Sequence, residues 1–266
     1  MKRWLIHLPL AVTVALAAVL AAHGPIAQFA HYHEFGDRSV LMGVPHAADV
    51  LSNLAFAAVA VWGLFRVRPV GHGYQFFLDA LLLTAFGSGF YHLAPDDARL
   101  VWDRLPIALA CAGLLAGVRA ECVPGLHEKR DVLLLAVFGV LGVAWWRYEA
   151  DLRPYLLLQL LPLVLIPLWQ WIYRAPRRDR IAFACALALY AVAKVAELYD
   201  RQVLAALGVI SGHTIKHLLA AGAAAVIVGR LIERRGPDPA GLAHFQQTRW
   251  GLGVPVVPQD QTPFHR

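Results

Sequence analysis

The sequence contains few charged residues and few cysteines, and both shortages narrow the class of protein. Charged residues make up 16% of the chain, whereas a soluble domain contains about 25%. Hydrophobic residues reach 59% of the 266 residues and the mean hydropathy is +0.54, which excludes an ordinary soluble enzyme, a disordered chain and a fibrous repeat. The three cysteines form no CxxC pair, so neither a disulfide framework nor a cysteine-based zinc site is expected.

The net charge of +6 does not indicate a nucleic-acid-binding protein. Lysine and arginine occur in short clusters between long apolar runs instead of along one continuous stripe. Such clusters are typical of the loops that flank membrane-spanning helices. We therefore expect the chain to lie in a membrane, and the sequence indicates neither a nucleic acid nor a protein partner.

Eight apolar runs are candidates for membrane-spanning helices. Crossing a hydrocarbon core of ~30 Å takes roughly 20 apolar residues in a helix, and these runs are too long for the strands of a membrane barrel. The sequence therefore predicts an all-α membrane protein, namely a bundle of seven transmembrane helices with one extra transmembrane helix at the N-terminus. The predicted spans are residues 4–22, 46–65, 75–95, 104–120, 132–147, 154–173, 181–199 and 211–230.

The first run, which follows Lys2 and Arg3, also resembles a signal peptide. We interpret it as an uncleaved span because no polar secreted domain follows. We expect residues 1–30 to hold this helix and the start of an outer loop, residues 31–235 to form the seven-helix domain, and residues 236–266 to be a mobile cytoplasmic tail.

The distribution of positive charge predicts the orientation in the membrane. When the spans alternate, 16 of the 24 lysines and arginines fall on the side of the N-terminus and 6 on the other side. The excess of positive charge is expected on the cytoplasmic side. We therefore predict a multi-pass membrane protein with both termini in the cytoplasm.

Three histidines are the candidate metal ligands. His213 and His217 are four residues apart in the last span, so both lie on one helix face, and the third span ends at His92. With the predicted topology, all three lie within roughly 10 Å of the outer membrane surface. Three neutral imidazoles with an open fourth position describe a catalytic zinc site, although copper, iron and nickel also accept imidazole. The alternative is that these histidines bond to backbone or water near the interface.

Two further residues are candidates for catalysis, each with a structural alternative. Asp103, at the outer start of the fourth span, could accept a proton from a zinc-activated water or orient a ligand, or it could only interact with the helix dipole. Ser88, one turn before His92, could donate a hydrogen bond to a developing oxyanion, or bond back to its own helix.

These residues resemble the alkaline ceramidase family, part of a wider group of seven-helix membrane hydrolases that includes the adiponectin receptors. The resemblance covers about residues 31–230 and is carried by Ser88, His92 and Asp103 together with His213-x-x-x-His217. The sequence DVLSNLAF at 49–56, after a loop with His-Glu-Phe at 33–35, is similar to the bacterial branch, which implies a location in a bacterial inner membrane. The resemblance implies a zinc-dependent hydrolase that cleaves the linear amide of ceramide, with the three histidines as ligands, Asp103 as acid and base, and Ser88 lining the pocket.

The resemblance departs from the family at the calcium site. Eukaryotic relatives bind calcium through an acidic segment before the first core helix, and the matching stretch here has only Glu34, Asp37 and Asp49 among histidines. Because calcium prefers several oxygen ligands, this segment is weak evidence for a calcium site. We expect instead a histidine-rich outer loop, containing His31 and His33, at the mouth of the pocket.

Other polar residues inside the spans have more than one interpretation. Lys194 and Glu197 lie on the seventh span, where Glu197 could pair with Lys216 and brace the last helix, or Lys216 could extend to the membrane surface. Asp49, Ser52 and Asn53 share one face of the second span, as a brace between helices or as pocket lining.

Two alternatives to a hydrolase remain open from the sequence. One is a membrane redox protein whose histidines ligate haem, and the other is a receptor or transporter with a structural metal.

Overall fold

Almost all of the described chain is helical. The computed structural model describes residues 3–67, 71–123, 125 and 127–234, so the predicted tail at 236–266 lies outside the described residues. A short 3-10 helix at Arg3–His7 precedes the first α-helix, and a two-residue hairpin of β1 (Val40–Leu41) and β2 (Val44–Pro45) precedes the second. The helices are α1 (Leu8–His23), α2 (Ala47–Ser52), α3 (Leu54–Arg66), α4 (His72–Leu93), α5 (Asp97–Cys122), α6 (Glu128–Glu149), α7 (Arg153–Ile172), α8 (Arg177–Leu198), α9 (Asp200–Leu207) and α10 (Gly212–Glu233).

Among the described residues, eight helical segments are long and apolar enough to cross a membrane. They coincide with the eight predicted spans, and α2 and α3 together form the second of them. The protein is therefore an all-α bundle of the kind found in multi-pass membrane proteins. Large apolar side chains on the outside of the bundle, such as Phe65, Phe86 and Leu133, are exposed in the isolated chain, as expected for a surface that faces lipid.

The predicted start of the fourth span is wrong by seven residues. The structure begins α5 at Asp97 instead of residue 104, because the Asp96 side chain accepts a hydrogen bond from the Arg99 backbone N–H at 2.7 Å and caps the helix. Asp103 therefore lies inside the helix, in its second turn, and is not the terminal charge that the sequence suggested. A search for apolar residues does not detect the polar turns by which a helix extends past its apolar run.

Helices α4 and α5 pack closely because glycine lies at their contact. A Cβ atom added to Gly87 would lie 2.0 Å from the Trp102 carbonyl oxygen, which no larger residue could satisfy without moving the two helices apart. Gly87 precedes Ser88 and Trp102 precedes Asp103 in the sequence. This close approach therefore brings the two candidate catalytic side chains together.

Helix α1 has no buried residue and is held to the bundle near its outer end. Asp151, between α6 and α7, accepts hydrogen bonds from the Ile26 and Arg153 backbone N–H groups, both at 3.1 Å, and from Trp145 Nε1 at 3.1 Å. The Arg153 side chain pairs with the same carboxylate at 2.8 Å. These bonds connect the segment after α1 to the start of α7.

At the opposite end of the bundle, α10 is fixed by a buried arginine. Arg230 Nε donates to Asp179 Oδ1 at 2.9 Å, and the other guanidinium nitrogens donate to the Tyr74 hydroxyl at 3.0 Å and to Glu121 Oε2 at 2.5 Å. A buried charge of this kind is stable only when it is paired and hydrogen-bonded, as it is here. The network joins α10 to α4, α5 and α8.

Candidate metal centre

The three predicted ligand histidines meet at one point. His92 lies in the last turn of α4, and His213 and His217 lie in the first two turns of α10. All three are buried, and one nitrogen of each ring lies within 4.8 Å of the others. Among the described residues, this is the one group of His, Cys, Asp or Glu side chains with metal-site geometry. The sequence predicted the set, and the fold brings its members together from two separate helices.

Hydrogen bonds orient the His217 ring. Its Nδ1 lies 2.8 Å from Ser52 Oγ, and the ring also contacts the Asp49 backbone carbonyl. A carbonyl oxygen can only accept a hydrogen bond, and Ser52 already directs its own hydroxyl to the same carbonyl at 2.8 Å. These contacts assign the proton to Nδ1 of His217, which leaves a lone pair on Nε2 for a metal.

Backbone contacts position His213 at the start of α10. Its N–H donates to Asp200 Oδ1 at 2.7 Å, and the other oxygen of Asp200 accepts from the Gly36 backbone N–H at 2.6 Å. Gly212 lets this end of the helix approach α8, because an added Cβ would lie 2.1 Å from the Ala196 carbonyl oxygen. Neither role of Asp200 nor that of Gly212 has a recognisable signal in the sequence.

The polar residues at 49–53 brace the ligand helix. Asp49 is completely buried, and its Oδ1 accepts hydrogen bonds from Thr214 Oγ1 at 2.5 Å and Ser211 Oγ at 3.2 Å. Asn53 donates to the Asp49 backbone carbonyl at 2.8 Å. Asp49, Ser52 and Asn53 do not line the cavity described below. The interpretation as a brace between helices is therefore confirmed for Asp49 and Ser52, whereas Asn53 bonds only to its own segment.

Ser88 and Asp103 form a hydrogen-bonded pair next to the cluster. Both are buried, both line the same cavity as His217, and Ser88 is one turn of α4 before His92. Because a carboxylate only accepts, the Ser88 hydroxyl donates to Asp103 in this arrangement. The sequence reasoning considered Ser88 and Asp103 separately and did not predict that they interact with each other.

An aromatic residue that the sequence reasoning missed covers the cluster. The Phe35 ring is buried against His92 and His213, with ring centroids 4.6 and 4.4 Å apart. Phe35 belongs to the outer loop, in which His33 bonds to the Tyr91 hydroxyl at 2.9 Å. The histidine-rich loop therefore contacts the site through Phe35 and Tyr91, and none of its own histidines joins the cluster.

The acids of the outer loop bond to groups of the protein. Asp37 accepts from the backbone N–H groups of Ser39, Ala48 and Asp49 at 2.8, 3.0 and 3.1 Å. Burial by itself would raise the pKa of Asp37, but these hydrogen bonds outweigh it and hold the pKa below its usual range. Glu34 pairs with Arg201 at 2.9 Å. The three acids suggested as calcium ligands are therefore engaged separately with protein donors.

A cavity of about 360 Å³ opens next to the cluster. Its polar end includes Ser88, Asp103 and His217, and its other walls are mainly apolar. It extends along the helices to Ile227, ten residues or roughly 15 Å beyond His217 on α10. A cavity of this volume with a few polar groups at one end is typical of a binding site for an apolar ligand.

The expected Glu197–Lys216 pair is present and borders the cavity. Lys216 Nζ lies 2.8 Å from Glu197 Oε1, and Lys194 pairs with the other carboxylate oxygen. All three residues line the cavity. Lys216 Nζ also lies 3.4 Å from His213 Nε2. Because like charges repel, a metal ion bound to His213 requires this ammonium group to stay at its Glu197 contact and away from the His213 ring.

The geometry of the histidine cluster is compatible with a bound transition metal. Nε2 of His92 and Nε2 of His213 are 3.2 Å apart, and two nitrogens on a tetrahedral zinc are roughly 3.3 Å apart when each bond is ~2.05 Å. Nδ1 of His92 is buried without a hydrogen-bond partner among the described residues. Burial also keeps imidazoles neutral, which is the form that ligates metals. The donor set suits zinc, copper, iron and nickel alike.

No protein-family model, curated protein or solved structure matches the chain. Its class is therefore defined by its own fold and site. The chain has the character of a multi-pass helical membrane protein, with a possible metal site of three buried histidines at one end of the bundle.

Proposed function

We propose that this chain is an integral membrane, zinc-dependent amidohydrolase of the ceramidase type, which cleaves the linear amide of ceramide or a related N-acyl lipid. The supporting observation is that His217, Ser88 and Asp103 lie together at the polar end of a long apolar cavity. His92 and His213 complete the ligand set beside it. A soluble substrate would have no use for the apolar walls, whereas an acyl chain fills them.

The reaction adds water to the amide carbon and breaks the C–N bond, which releases a fatty acid and an amine. Bound zinc would polarise the amide carbonyl and lower the pKa of water toward ~7. The Asp103 carboxylate is the candidate to take a proton from the attacking water and return it to the leaving nitrogen. The Ser88 hydroxyl holds that carboxylate in place. To act on an oxyanion, Ser88 would first have to release its bond to Asp103.

The substrate's acyl chain would lie along the cavity toward Phe77, Ile166 and Ile227. Phe77 is eleven residues before Ser88 on α4, which is roughly 16 Å along the helix. The amide bond of such a lipid would then be close to the outer end of α4 and the start of α10. Entry from the lipid phase agrees with a cavity formed between membrane-spanning helices.

Metal content and turnover test this proposal together. Purified protein should contain about one zinc per chain and hydrolyse at least one member of a panel of N-acyl lipids. His213→Ala and His217→Ala should lose zinc and turnover together, whereas His72→Ala, an exposed histidine at the far end of α4, should lose neither. Full zinc occupancy in both cluster variants would disprove the ligand assignment.

The acid and base assignment needs a separate variant. Asp103→Asn should keep its zinc and lower kcat by roughly 10²–10⁴-fold, the usual contribution of a general acid or base. Asp79→Asn, which removes an exposed carboxylate from α4, serves as the control. A Soret band in the absorption spectrum would favour the haem alternative, and zinc binding without turnover on any N-acyl lipid would favour the receptor or transporter alternative.

A further inference from the structure

The cavity contains a second polar group, Arg104, which the proposed chemistry does not use. Arg104 follows Asp103 on α5 but points to a different side, toward α6 and α7. Its guanidinium carbon lies 3.9 Å from the centre of the Trp146 ring, 5.2 Å from Tyr32 and 5.4 Å from Tyr155. The side chain is 3% exposed and lines the cavity.

Arg104 forms no ion pair in the described part of the chain, and the carboxylate that interacts with it at longer range is that of the preceding residue, Asp103. Arg104 Nη1 is buried without a hydrogen-bond partner. The buried Arg230 provides a contrast, because two carboxylates and a tyrosine hydroxyl surround it. A buried charge without an ion-pair partner is costly, and stacking on aromatic rings replaces only part of the lost hydration.

Two glutamines line the same cavity as this arginine, and one of them has a buried atom without a partner. Gln28 lines the cavity, and its Oε1 is buried without a hydrogen-bond partner. Gln159 also lines the cavity and donates to the Tyr155 hydroxyl at 2.7 Å. An amide and a guanidinium with unused hydrogen-bonding capacity, beside an apolar wall, are typical of a site for a ligand's polar end.

We propose that Arg104 binds an anionic oxygen group of the lipid that occupies the cavity. A planar guanidinium is well suited to two parallel hydrogen bonds with a carboxylate or phosphate. Two sources of such a group are consistent with the location. One is the carboxylate of a fatty acid in the cavity, and the other is an anionic headgroup on the lipid. The inference depends on the proposed function for the lipid nature of the ligand, and it does not depend on hydrolysis.

Binding of matched lipids without an amide bond tests Arg104 separately from turnover. Palmitate and hexadecanol differ in the carboxylate at the end of the chain. Hexadecyloxyacetate and 2-hexadecyloxyethanol differ in a carboxylate at the headgroup position. Equilibrium binding in a neutral maltoside detergent at pH 8 should show that the intact protein binds at least one acid about tenfold or more tightly than its alcohol.

Arg104→Gln should remove this preference while binding of the alcohols changes less than about twofold. Arg104→Lys, which retains charge but not the planar geometry, should keep part of the preference. Arg99→Gln removes a charge from the surface at the same end of α5, and this variant should keep the full preference for the acid over the alcohol. Loss of the preference for palmitate identifies the fatty acid carboxylate as the group bound, and loss for hexadecyloxyacetate identifies the headgroup.

Three results would overturn the inference: no preference for either acid in the intact protein, an undiminished preference in Arg104→Gln, or an equal loss in Arg99→Gln. A parallel loss of alcohol binding in Arg104→Gln and Arg104→Lys would mean that Arg104 only shapes the cavity, which also contradicts an anion site. Zinc content and turnover do not enter these measurements, so failure here leaves the proposed hydrolase to its own test.

Discussion

At the residue scale, the two histidines of α10 in the candidate metal centre are held in place by different groups. His217 is held by Ser52 and by the Asp49 backbone carbonyl, so its orientation is set by α2 although the ligand itself belongs to α10. His213 is positioned through its backbone N–H by Asp200 instead. The two ligands of one helix therefore have different supports, and single substitutions can separate their contributions.

Ser52→Ala should weaken metal binding without abolishing it. The variant removes the 2.8 Å contact to Nδ1 of His217 and frees the ring to rotate, and loss of such an orienting partner costs roughly 10–100-fold in metal affinity. Competition with a chelator measures the change. Thr13→Ala removes a hydroxyl that bonds only to its own helix in α1 and should leave the affinity unchanged. Equal affinities in Ser52→Ala and the parent would mean that the ring is held by the Asp49 carbonyl alone.

At the scale of secondary-structure elements, the site is produced by the approach of α4 to α5 and by the polar contacts at both ends of α10. Gly87 permits the close approach of α4 to α5. Polar contacts fix α10 at both ends: one end bonds to Asp49, Ser52 and Asp200, and the other end is held by the Arg230 network. The cavity lies along α10 between these two sets of contacts.

Gly87→Ala and Gly89→Ala, two residues apart in α4, should differ sharply. The Cβ of the first would lie 2.0 Å from the Trp102 carbonyl oxygen, while the second would meet nothing within 4 Å. Overpacking of this kind costs about 1–3 kcal/mol. We therefore expect Gly87→Ala to lower the Tm and to reduce turnover by moving Ser88 from Asp103, and Gly89→Ala to match the parent in thermal unfolding and activity. Similar Tm values for the two variants would show that α4 and α5 can separate at little cost.

The attachment of α1 should depend on pH only in strongly acidic solution. Burial by itself would raise the pKa of Asp151, but hydrogen bonds from Arg153, Ile26 and Trp145 hold it well below its usual range. A depressed pKa in the folded protein stabilises it above the unfolded pKa of about 3.9, and this stabilisation is lost as the pH falls below that value.

Thermal unfolding of Asp151→Asn and the parent over a range of pH tests this attachment. The parent should have the higher Tm, by a constant amount, from neutral pH to about pH 5, and the difference should shrink below about pH 4. A difference that already shrinks between pH 7 and pH 5 would contradict the assignment, because Asp151 is then not the group that titrates.

At the scale of the whole molecule, the orientation in the membrane decides which side the metal centre faces. The charge distribution predicts cytoplasmic termini and therefore a centre near the outer side of the membrane. The ends of α4 and α10 that carry the histidines lie on the same side as the loop at 24–46 in this arrangement. The proposed lipid substrate would then be reached from the outer leaflet.

Labelling of single cysteines in intact cells tests this orientation. In a background without Cys111, Cys122 and Cys185, a membrane-impermeant maleimide should label Arg38→Cys, in the predicted outer loop. Lys129→Cys should be labelled only after the cells are opened. If only Lys129→Cys were labelled in intact cells, the orientation would be opposite to the predicted one and the metal centre would face the cytoplasm.

Much of the fold could be predicted because a membrane span is a local property. About twenty consecutive apolar residues are sufficient to define it, and the eight predicted spans are all present with boundaries shifted by a few residues. The largest error, at the start of α5, arose because the cap at Asp96 adds polar turns that hydropathy does not register. His213 and His217 share a face for an equally local reason, the period of the helix.

The sequence by itself therefore determined the number of spans and the residue types able to bind a metal. Only the tertiary structure decided that His92 approaches the pair on α10, that Phe35 and Asp200 support the cluster, and that Arg104 lies in the cavity with a buried Nη1 that has no hydrogen-bond partner among the described residues. These are contacts between residues far apart in the chain, and helix packing selects them through close approaches such as the one at Gly87. No pattern within a single helix encodes that choice.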